Sequence, residues 1–568
     1  MAGLERNYAD VWEAVADRIP TATALVQGTV RRSWAEFEAR AARLASAFAA
    51  AGVGHNSKVA LYLYNCPEYL EAFFATLKVR AVPVNVNYRY LDDELAYLVD
   101  NADAEVLVFH ASLADRVARV APASPKLKLL LRVDDVGGVA FGDPYEDAVS
   151  SHAPAPRIER SSRDILMTYT GGTTGMPKGV MGSVGGGVDT YRTTVPSVLG
   201  LPPVETTDGI VDAAAQLIAE GRPWAALPAC PLMHGTGMGI GALPALTFGG
   251  AVVLLEGRGL DVDELWSTVE REAVNSITVV GDAFARPMLR GLREGPPRDL
   301  ASVRLILSAG AMFSAEVKDG LLEFLPGAAI IDYIAATEGA MGYSVSMKGA
   351  PAATGKFIPN PGVKVLTEDG QEVQPGSGES GIVAVPGSIP EGYYHDDEKT
   401  ARTFKVIDGV RYSLPGDWAT VEADGSLVLL GRGSQCINTG GEKVFPEEVE
   451  EILKLHPSVE DALVFGVPDE RFGQRVVGVA SLSPGAAAVD PDAIVDAARS
   501  KLSSYKLPRS LVLVDVVPRA ANGKADYPAA KAMFDAALRA DPSEAAAAAA
   551  SSATSAAASA GSPPQAGQ

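Results

Sequence analysis

Apolar residues recur at two different spacings in the N-terminal part of this chain. From Trp34 to Gly52 they fall at every third or fourth position, which predicts one amphipathic helix. Short apolar runs then alternate with helix-like stretches. The predicted strands lie at 59–64, 82–86 and 106–110, and the predicted helices between them lie at 67–77 and 91–101. Strands that alternate with helices favour a parallel sheet with helices on both faces.

The alternation continues beyond residue 250 and then restarts on a smaller scale. Further strands are predicted at 251–255, 277–280 and 305–307, and the glycine-rich segment 363–385 predicts a smaller β subdomain. After 431–434 a short series follows, with helices from Pro446 and at 491–502 and strands at 462–465, 476–481 and 511–514. The predicted fold class is therefore α/β, with a large N-terminal domain of α/β sheets over 1–431 and a small α+β domain over 432–540.

Composition narrows the kinds of partner that we expect. The chain has 568 residues, of which 47% are hydrophobic, so two or more domains with substantial cores are expected. A net charge of −21 argues against a nucleic-acid partner, and an anionic substrate must be met by local Lys and Arg. From residue 541 to 568 the chain is mostly Ala, Ser, Gly, Pro and Gln, which favours disorder.

Cysteine usage and hydropathy predict a cytoplasmic protein without a membrane-spanning segment. Cys66, Cys230 and Cys436 are scattered without metal-ligand spacing, so disulfides and a zinc site are both disfavoured. The N-terminus has no apolar signal core, and no run approaches the ~18 apolar residues of a spanning helix. Peripheral membrane contact stays open, as does the choice between monomer and homodimer.

The segment 169–180 (YTGGTTGMPKGV) predicts a loop that binds the phosphates of ATP. It follows a predicted buried strand at 164–169. Its glycines allow backbone N–H groups to approach an anion, its threonines add hydroxyl donors and its lysine adds a positive charge. The candidate residues are Thr170, Gly171, Gly172, Thr173, Thr174, Gly175 and Lys178. The motif is not a Walker A loop, because Met176 and Pro177 separate the last glycine from the lysine.

This string resembles the signature of the adenylate-forming superfamily, which includes acyl-CoA synthetases, peptide-synthetase adenylation domains and luciferases. Other segments resemble the same family in the same order over roughly 20–535. They are 231–237 (PLMHGTG), 308–310 (SAG), 332–339 (DYIAATEG), 412–418 (YSLPGDW), 430–433 (LGRG), 438–446 (NTGGEKVFP) and 517–527 (VPRAANGKADY). The resemblance implies that the small domain is a mobile lid.

The resemblance also implies a role for individual residues. It implies catalytic roles for Lys178, Glu338, Arg432 and Lys524, with Thr170 and Glu338 as the contacts on the Mg²⁺ side, where hard oxygen ligands suit the ion. It implies nucleotide contacts from Ser308, Gly310, Thr337, Asp417, Arg432 and Lys524. It implies an acyl pocket lined by His234, Gly235, Met238, Gly310 and Gly339, and a passage for coenzyme A along Gly440, Gly441 and Lys443. A structural or surface role is the alternative for the phosphate loop with Lys178 and for His234, Asp417, Arg432, Gly440, Gly441 and Lys524.

The chain departs from the family pattern at two places. Ile334 stands where many relatives have a tyrosine, so that adenine would meet an aliphatic rather than an aromatic side chain. Ser434 and Gln435 stand where many relatives have Lys-Asp at the interdomain hinge, so the charges found there in relatives are absent.

The resemblance implies an acid–thiol ligase that uses ATP, Mg²⁺ and coenzyme A. Segments 284–288, 311–316 and 431–446 are similar to the fatty-acid and steroid side-chain CoA ligases of actinobacteria, which implies a bulky lipid acid. Three alternatives stay open: a fatty acyl-AMP ligase that delivers to a carrier protein, a luciferase-type oxidation, and a catalytically silent nucleotide-binding relative.

Overall fold

The computed structural model describes residues 4–170, 176–350, 354–439, 442–469, 472–520 and 523–540. The helices are α1 (Tyr8–Arg18), α2 (Trp34–Ala50), α3 (Pro67–Lys78), α4 (Asp92–Asn101), α5 (Ala114–Val120), α6 (Tyr145–Ser151), α7 (Val184–Leu199), α8 (Thr207–Ala219), α9 (Leu243–Thr247), α10 (Val262–Arg271), α11 (Gly281–Glu294), α12 (Ala315–Phe324), α13 (Asp397–Thr403), α14 (Pro446–Leu453), α15 (Pro491–Ala498) and α16 (Tyr527–Ala540).

The strands fall into an N-terminal and a C-terminal series. The first is β1 (Thr23–Gln27), β2 (Val30–Ser33), β3 (Lys58–Tyr62), β4 (Val82–Asn85), β5 (Ala104–His110), β6 (Leu129–Val133), β7 (Asp143–Pro144), β8 (Ile165–Thr170), β9 (Lys178–Ser183), β10 (Ala225–Pro228), β11 (Ala251–Leu254), β12 (Ser276–Val279), β13 (Leu305–Ala309), β14 (Ala329–Ala336), β15 (Gly339–Met347) and β16 (Lys356–Pro359). The second is β17 (Lys364–Leu366), β18 (Ser380–Pro386), β19 (Gly392–Tyr393), β20 (Phe404–Ile407), β21 (Val410–Ser413), β22 (Asp417–Val421), β23 (Leu427–Arg432), β24 (Ile437–Thr439), β25 (Glu442–Val444), β26 (Val459–Asp469), β27 (Gly473–Leu482) and β28 (Leu511–Leu513).

The chain divides into two compact units. The first unit comprises Met1–Lys364, Val383–Pro415 and Gly425–Leu427, and the second comprises Val365–Ile382, Gly416–Asp424 and Val428–Gln568. The glycine-rich β subdomain that the sequence predicts at 363–385 is thus shared between the two units. The predicted domain limits at 431/432 and 540/541 stay predictions.

The first unit contains two sheets whose central strands are parallel. One sheet contains the strand order β2-β1-β11-β10-β12-β13-β14-β15-β16, and the other has the order β7-β6-β5-β3-β4-β8-β9-β19. The strands from β1 to β14 of the first sheet are parallel, as are β7 to β8 of the second. The predicted alternation of strand and helix is therefore confirmed.

Antiparallel strands are the part of these sheets that the predicted parallel pattern lacks. In one sheet β2, β15 and β16 pair antiparallel, and in the other β9 and β19 do. The cause is local, because β8–β9 and β14–β15 are hairpins and a hairpin can join only antiparallel strands. Both hairpins carry residues of the candidate site.

The N-terminal helices show how the sequence produces this packing. Ser33 caps α2 by accepting a hydrogen bond from the Glu36 N–H, and the Glu36 carboxylate accepts one from the Ser33 N–H. The apolar stripe predicted from spacing is buried, with Trp34, Phe37 and Phe48 fully enclosed in the main core of the unit. This stripe packs α2 against α3, which flanks the second sheet.

The second unit contains its own sheet and core. The sheet has the order β25-β24-β27-β26, with β28 parallel to β27. Helix α14 begins at Pro446 as the sequence predicts, and its Val449 and Leu453 join the core beneath β26. The α+β fold class of this part is confirmed.

Candidate active site

The predicted phosphate loop lies at the end of a hairpin in the first unit. Thr170, the last residue of β8, pairs directly with Lys178, the first residue of β9. Gly179 has no room for a side chain, since an added Cβ would lie 2.9 Å from atoms of Met167 and Tyr169. The hairpin therefore fixes the start and the lysine end of the loop. The predicted contacts Gly171, Gly172, Thr173, Thr174 and Gly175 lie outside the described residues.

Thr337 and Glu338 form the two-residue turn of the other hairpin. Ala336 at the end of β14 pairs with Gly339 at the start of β15, so the two residues between them lie at the tip. The Tyr393 hydroxyl of β19 donates a 2.5 Å hydrogen bond to Glu338 Oε1. Because β19 is an edge strand of the sheet that carries the phosphate loop, this bond brings Glu338 close to that sheet.

Lys178 forms an ion pair with the residue that caps α13. Its ammonium lies 3.1 Å from Asp396 Oδ2. Asp396 Oδ1 accepts a hydrogen bond from the Lys399 N–H and so caps the helix. That N–H, and next among the attractive groups the Lys178 ammonium, lower the pKa of Asp396. The carboxylate therefore stays charged and holds the lysine at the edge of the loop.

The segment with the predicted nucleotide contacts Ser308 and Gly310 lies at the end of β13. Ser308 is fully buried, its hydroxyl accepts a hydrogen bond from the Gly281 N–H, and Gly310 has φ +92°.

A buried ion pair lies next to this segment, with the Lys318 ammonium 3.0 Å from Asp332 Oδ2. Burial raises the pKa of Asp332 to about 6, against the opposing effect of Lys318. Ile334, where relatives have tyrosine, is buried on β14.

Asn85 joins the phosphate hairpin to the predicted acyl segment. At the end of β4, its amide nitrogen donates to the carbonyl of Tyr169 at 3.0 Å and to that of Met233 at 2.6 Å. Its oxygen accepts from the Tyr169 N–H at 2.7 Å. One side chain thus fixes the strand before Thr170 and the residue before His234.

Three of the predicted acyl-pocket residues, His234, Gly235 and Met238, follow β10. The His234 carbonyl accepts a hydrogen bond from the Met238 N–H, and a π-helical stretch spans Thr236–Ala242. Among the described residues, none places an atom within 4 Å of a Cβ added at Gly235, whereas one added at Gly339 would lie 3.0 Å from Val385. The carboxyl ends of β10, β13 and β14 therefore place the His234, Ser308 and Glu338 segments along one edge of the sheet.

In the second unit, the predicted nucleotide contact Asp417 lies at the start of β22. Asp417 is buried and follows Gly416, whose φ of +96° suits glycine. The Gly433 N–H donates to the Gly416 carbonyl at 2.9 Å, so the end of β23 at Arg432 lies beside this turn. The turn brings the backbone of the two predicted nucleotide contacts together.

Lys524 lies on a loop that contacts of Arg519 hold in place. The Arg519 guanidinium donates two hydrogen bonds to Asp461, and Arg519 forms a β-bridge with Ala525. The Lys524 carbonyl accepts from the Ala520 N–H at 2.8 Å, and its side chain is exposed. This arrangement presents an ammonium on a fixed backbone.

The predicted coenzyme A loop is described only in part. Lys443 lies on β25, opposite Asn438 of β24. Gly440 and Gly441 lie outside the described residues.

Sequence reasoning did not find Asn85, Tyr393 or Asp396. Asp396 carries a local signal, since an aspartate ahead of a charged first turn is a helix cap. The contacts of Asn85 and Tyr393 join residues far apart in the chain, and no local pattern indicates them.

Comparison with known proteins places most of the chain in one family. The family model described as AMP-binding enzyme matches residues 12–394, and the model of the AMP-binding enzyme C-terminal domain matches 448–524. The chain therefore belongs to the AMP-binding enzyme family, which confirms the resemblance to adenylate-forming enzymes.

Individual relatives cover nearly the full length. The chain is 42% identical to a 3-oxocholest-4-en-26-oate–CoA ligase of Rhodococcus rhodochrous over 92% of this chain and 95% of that protein. It is also 42% identical to a medium/long-chain-fatty-acid–CoA/3-oxocholest-4-en-26-oate–CoA ligase of Mycobacterium marinum, over 93% of this chain and 97% of that protein. A crystal structure of the anthranilate CoA ligase AuaEII with anthranoyl-AMP has the same fold, with a TM-score of 0.81 and 24% identity over 95% of this chain and 99% of that one.

The helices in the described part of the chain are all too short or too polar to cross a bilayer.

Proposed function

We propose that this protein is an AMP-forming acyl-CoA synthetase that activates a lipid carboxylic acid, either a medium- or long-chain fatty acid or a steroid side-chain acid. The observation that carries the proposal is identity of 41–42% over more than nine-tenths of the chain to ligases named for those two classes of acid. The positions of Thr170, Lys178 and Glu338 at the ends of two β-hairpins support it. The cytoplasm as location, and a monomer or homodimer as the assembly, belong to the same proposal.

The reaction has two displacement steps. In the first, a carboxylate oxygen attacks the α-phosphorus of ATP, and the bond to the departing pyrophosphate breaks. In the second, the thiol sulfur of coenzyme A attacks the acyl carbon, its proton is lost to solvent, and the bond to AMP breaks. The electron pairs come from the substrates, so the protein is needed to hold them in line and to neutralise charge.

The positive charges that we assign to this task come from three side chains. Lys178 is proposed to meet the β- and γ-phosphates, while Arg432 and Lys524 meet charge on the α-phosphate and the carboxylate. The backbone at Ser308 and Gly310 is proposed to contact adenine. Thr337 is proposed to contact phosphate, and Asp417 to accept hydrogen bonds from the ribose hydroxyls.

The donor set at the phosphate hairpin suits Mg²⁺. Thr170 and Glu338 supply a hydroxyl and a carboxylate, both hard oxygen donors. Among the residues that the structure describes, no cluster of three or more His, Cys, Asp or Glu is placed to enclose a metal ion. Mg²⁺ keeps several waters and binds through one or two protein oxygens plus substrate phosphates, so two oxygen donors from the protein are enough. When bound, the ion would neutralise negative charge on the phosphates.

The acyl pocket and the thiol passage complete the proposal. His234, Gly235, Met238, Gly310 and Gly339 are proposed to line the acid. Gly440, Gly441 and Lys443 are proposed to line the pantetheine arm of coenzyme A.

The test measures AMP release from ATP and Mg²⁺ with short, medium-chain, long-chain and steroid side-chain acids, each with and without coenzyme A. We expect turnover that depends on coenzyme A and is highest with medium- or long-chain fatty acids or steroid side-chain acids. Pyrophosphate release that stops at about one equivalent per enzyme, with coenzyme A inert, would identify an acyl-AMP ligase that needs a carrier protein. ATP binding without turnover on any acid would identify a silent nucleotide-binding relative.

A further inference from the structure

Tyr393 contacts Glu338, one of the two residues proposed to hold Mg²⁺. Tyr393 itself belongs to no segment that the proposed mechanism uses. Its hydroxyl donates to Glu338 Oε1 at 2.5 Å. The two residues are far apart in sequence, and they lie in the first unit on different sheets. The hydrogen bond therefore ties the turn that carries Glu338 to the sheet that carries the phosphate loop.

The backbone around Tyr393 holds it in register with the phosphate hairpin. Tyr393 pairs with Val180 and Gly392 pairs with Met181, two and three residues after Lys178. The close approach requires glycine at 392, because an added Cβ would lie 2.6 Å from the Thr400 methyl group. The Tyr393 N–H donates to the Thr400 hydroxyl at 2.9 Å. Strand pairing and this bond together fix the position of the Tyr393 backbone.

The ring of Tyr393 is also fixed. The residue is 3% exposed and packs with Val180 and Phe404. The Lys399 ammonium lies over the ring at 4.0 Å from its centroid. Since the ring is enclosed on several sides, the direction in which the hydroxyl points is set by packing and does not depend on Glu338.

Glu338, by contrast, gets little restraint from its own backbone. It lies at the tip of a two-residue turn and is partly exposed, and a glutamate side chain has three rotatable bonds. A donor held at a fixed place selects the rotamers in which Oε1 faces Tyr393. The carboxylate is then oriented before any ion arrives, and Oε2 can serve the ion while Oε1 stays bonded.

We propose that Tyr393 is a positioning residue that orients the Glu338 carboxylate for the Mg²⁺ of the ATP complex. This rests on the proposed function, because it takes Glu338 as the metal-side residue. Partners that hydrogen-bond a metal-binding carboxylate set both its orientation and its affinity for the ion.

The chain offers a matched control in the next residue. The Tyr394 hydroxyl donates to Asp103 at 2.7 Å, so Tyr394→Phe also removes one phenol-to-carboxylate hydrogen bond. Asp103 has no part in the proposed site. Tyr393→Phe keeps the ring, its packing and the Lys399 contact, and removes only the hydroxyl.

The experiment titrates Mg²⁺ into each variant with ATP present and follows ATP binding by calorimetry, and then repeats the titration with AMP release as readout. We expect Tyr393→Phe to raise the half-saturating Mg²⁺ concentration about tenfold in both assays, because loss of such partners costs 10- to 100-fold in metal affinity. High Mg²⁺ should restore kcat, and the KM for the acid should not change. Tyr394→Phe should match the unsubstituted protein.

A double-variant cycle separates positioning from general stability. In a Glu338→Gln background, Tyr393→Phe should have no further effect on the Mg²⁺ dependence. Equal Mg²⁺ dependence of Tyr393→Phe and Tyr394→Phe, or an undiminished effect in the Glu338→Gln background, would overturn the proposal. Mg²⁺-dependent ATP binding without AMP release would refute the proposed synthetase function alone. A chain that binds no Mg²⁺ and ATP would refute both.

Discussion

The Lys178 ammonium and the Asp396 carboxylate form an ion pair at 3.1 Å, and the same carboxylate caps α13. The side chains of the pair are 33% and 19% exposed, so solvent weakens their attraction. The two duties of Asp396 differ in what they require. The cap needs only an oxygen acceptor, whereas the ion pair needs a negative charge.

This difference predicts unequal effects of two substitutions at Asp396. Asp396→Asn keeps an acceptor for the Lys399 N–H and should lower the free energy of unfolding by at most about 1 kcal/mol. Asp396→Ala also removes the cap and should cost about 1 kcal/mol more. Urea unfolding followed by tryptophan fluorescence reports mainly on the first unit, since four of the five tryptophans, Trp12, Trp34, Trp224 and Trp266, lie in it, and only Trp418 lies in the second. Equal losses in the two variants would show that the cap contributes nothing.

Asn85 should be important for both stability and activity. Asn85→Ala removes three hydrogen bonds that join Tyr169 and Met233, and we expect a loss of about 2 to 3 kcal/mol in the free energy of unfolding. AMP release should also fall, because the strand that leads to Thr170 loses its attachment. Both quantities are measured beside Asn87→Ala, which removes only a local bond to the Arg89 N–H. Equal effects of the two variants would contradict the bridging role.

The histidine at the end of β5 predicts a dependence of stability on pH. His110 is buried, and its Nδ1 accepts a hydrogen bond from the Tyr64 N–H at 3.2 Å. Burial lowers its pKa to about 4, against the smaller opposing effect of Asp135. In the unfolded chain the pKa is about 6.5. Between these values the unfolded state binds more protons, so the contribution of neutral His110 is complete above about pH 6.5 and is lost as the pH falls towards 4.

His110→Asn tests this linkage, because an amide oxygen can still accept from Tyr64 and does not take up a proton in this range. For one proton the slope has an upper limit of about 1.4 kcal/mol per pH unit. The free energy of unfolding of the unsubstituted chain should therefore fall more steeply from pH 6.5 to 4.5 than that of His110→Asn. Parallel curves for the two proteins would show that His110 does not titrate differently on folding.

Much of the fold could be predicted from the sequence because local spacing determines it. Helices α2 and α3 and strands β3 and β5 lie within a few residues of the predicted limits, since each buries an apolar face that the pattern displays. Helix α7 was missed, because its first turn contains three glycines and its exposed face is rich in threonine, so it lacks a helical signal.

The candidate site is likewise only partly predictable from the sequence. Lys178, Glu338 and Asp417 carry recognisable neighbours along the chain, and the sequence therefore identifies them as candidates. Their contact partners have no such recognisable neighbours along the chain. The Tyr393–Glu338 contact, for example, forms because strand β19 pairs at the edge of a sheet whose other strands come much earlier in the chain. Edge pairing of this kind is a property of the tertiary fold, and no sequence period encodes it.

Lys524 separates the two halves of the proposed reaction. Lys524 is an exposed residue on the loop that Arg519 anchors, and the proposal uses its charge only while the carboxylate attacks the α-phosphate. Lys524→Ala should therefore lower acyl-AMP formation about 10²- to 10³-fold and leave thioester formation from supplied acyl-AMP and coenzyme A largely unchanged. The control is Lys531→Ala, which replaces an exposed lysine on α16 and should affect neither half of the reaction. Pyrophosphate release and thioester formation are measured separately, and an equal loss in both halves would mean that the lysine supports the fold of the unit rather than adenylation.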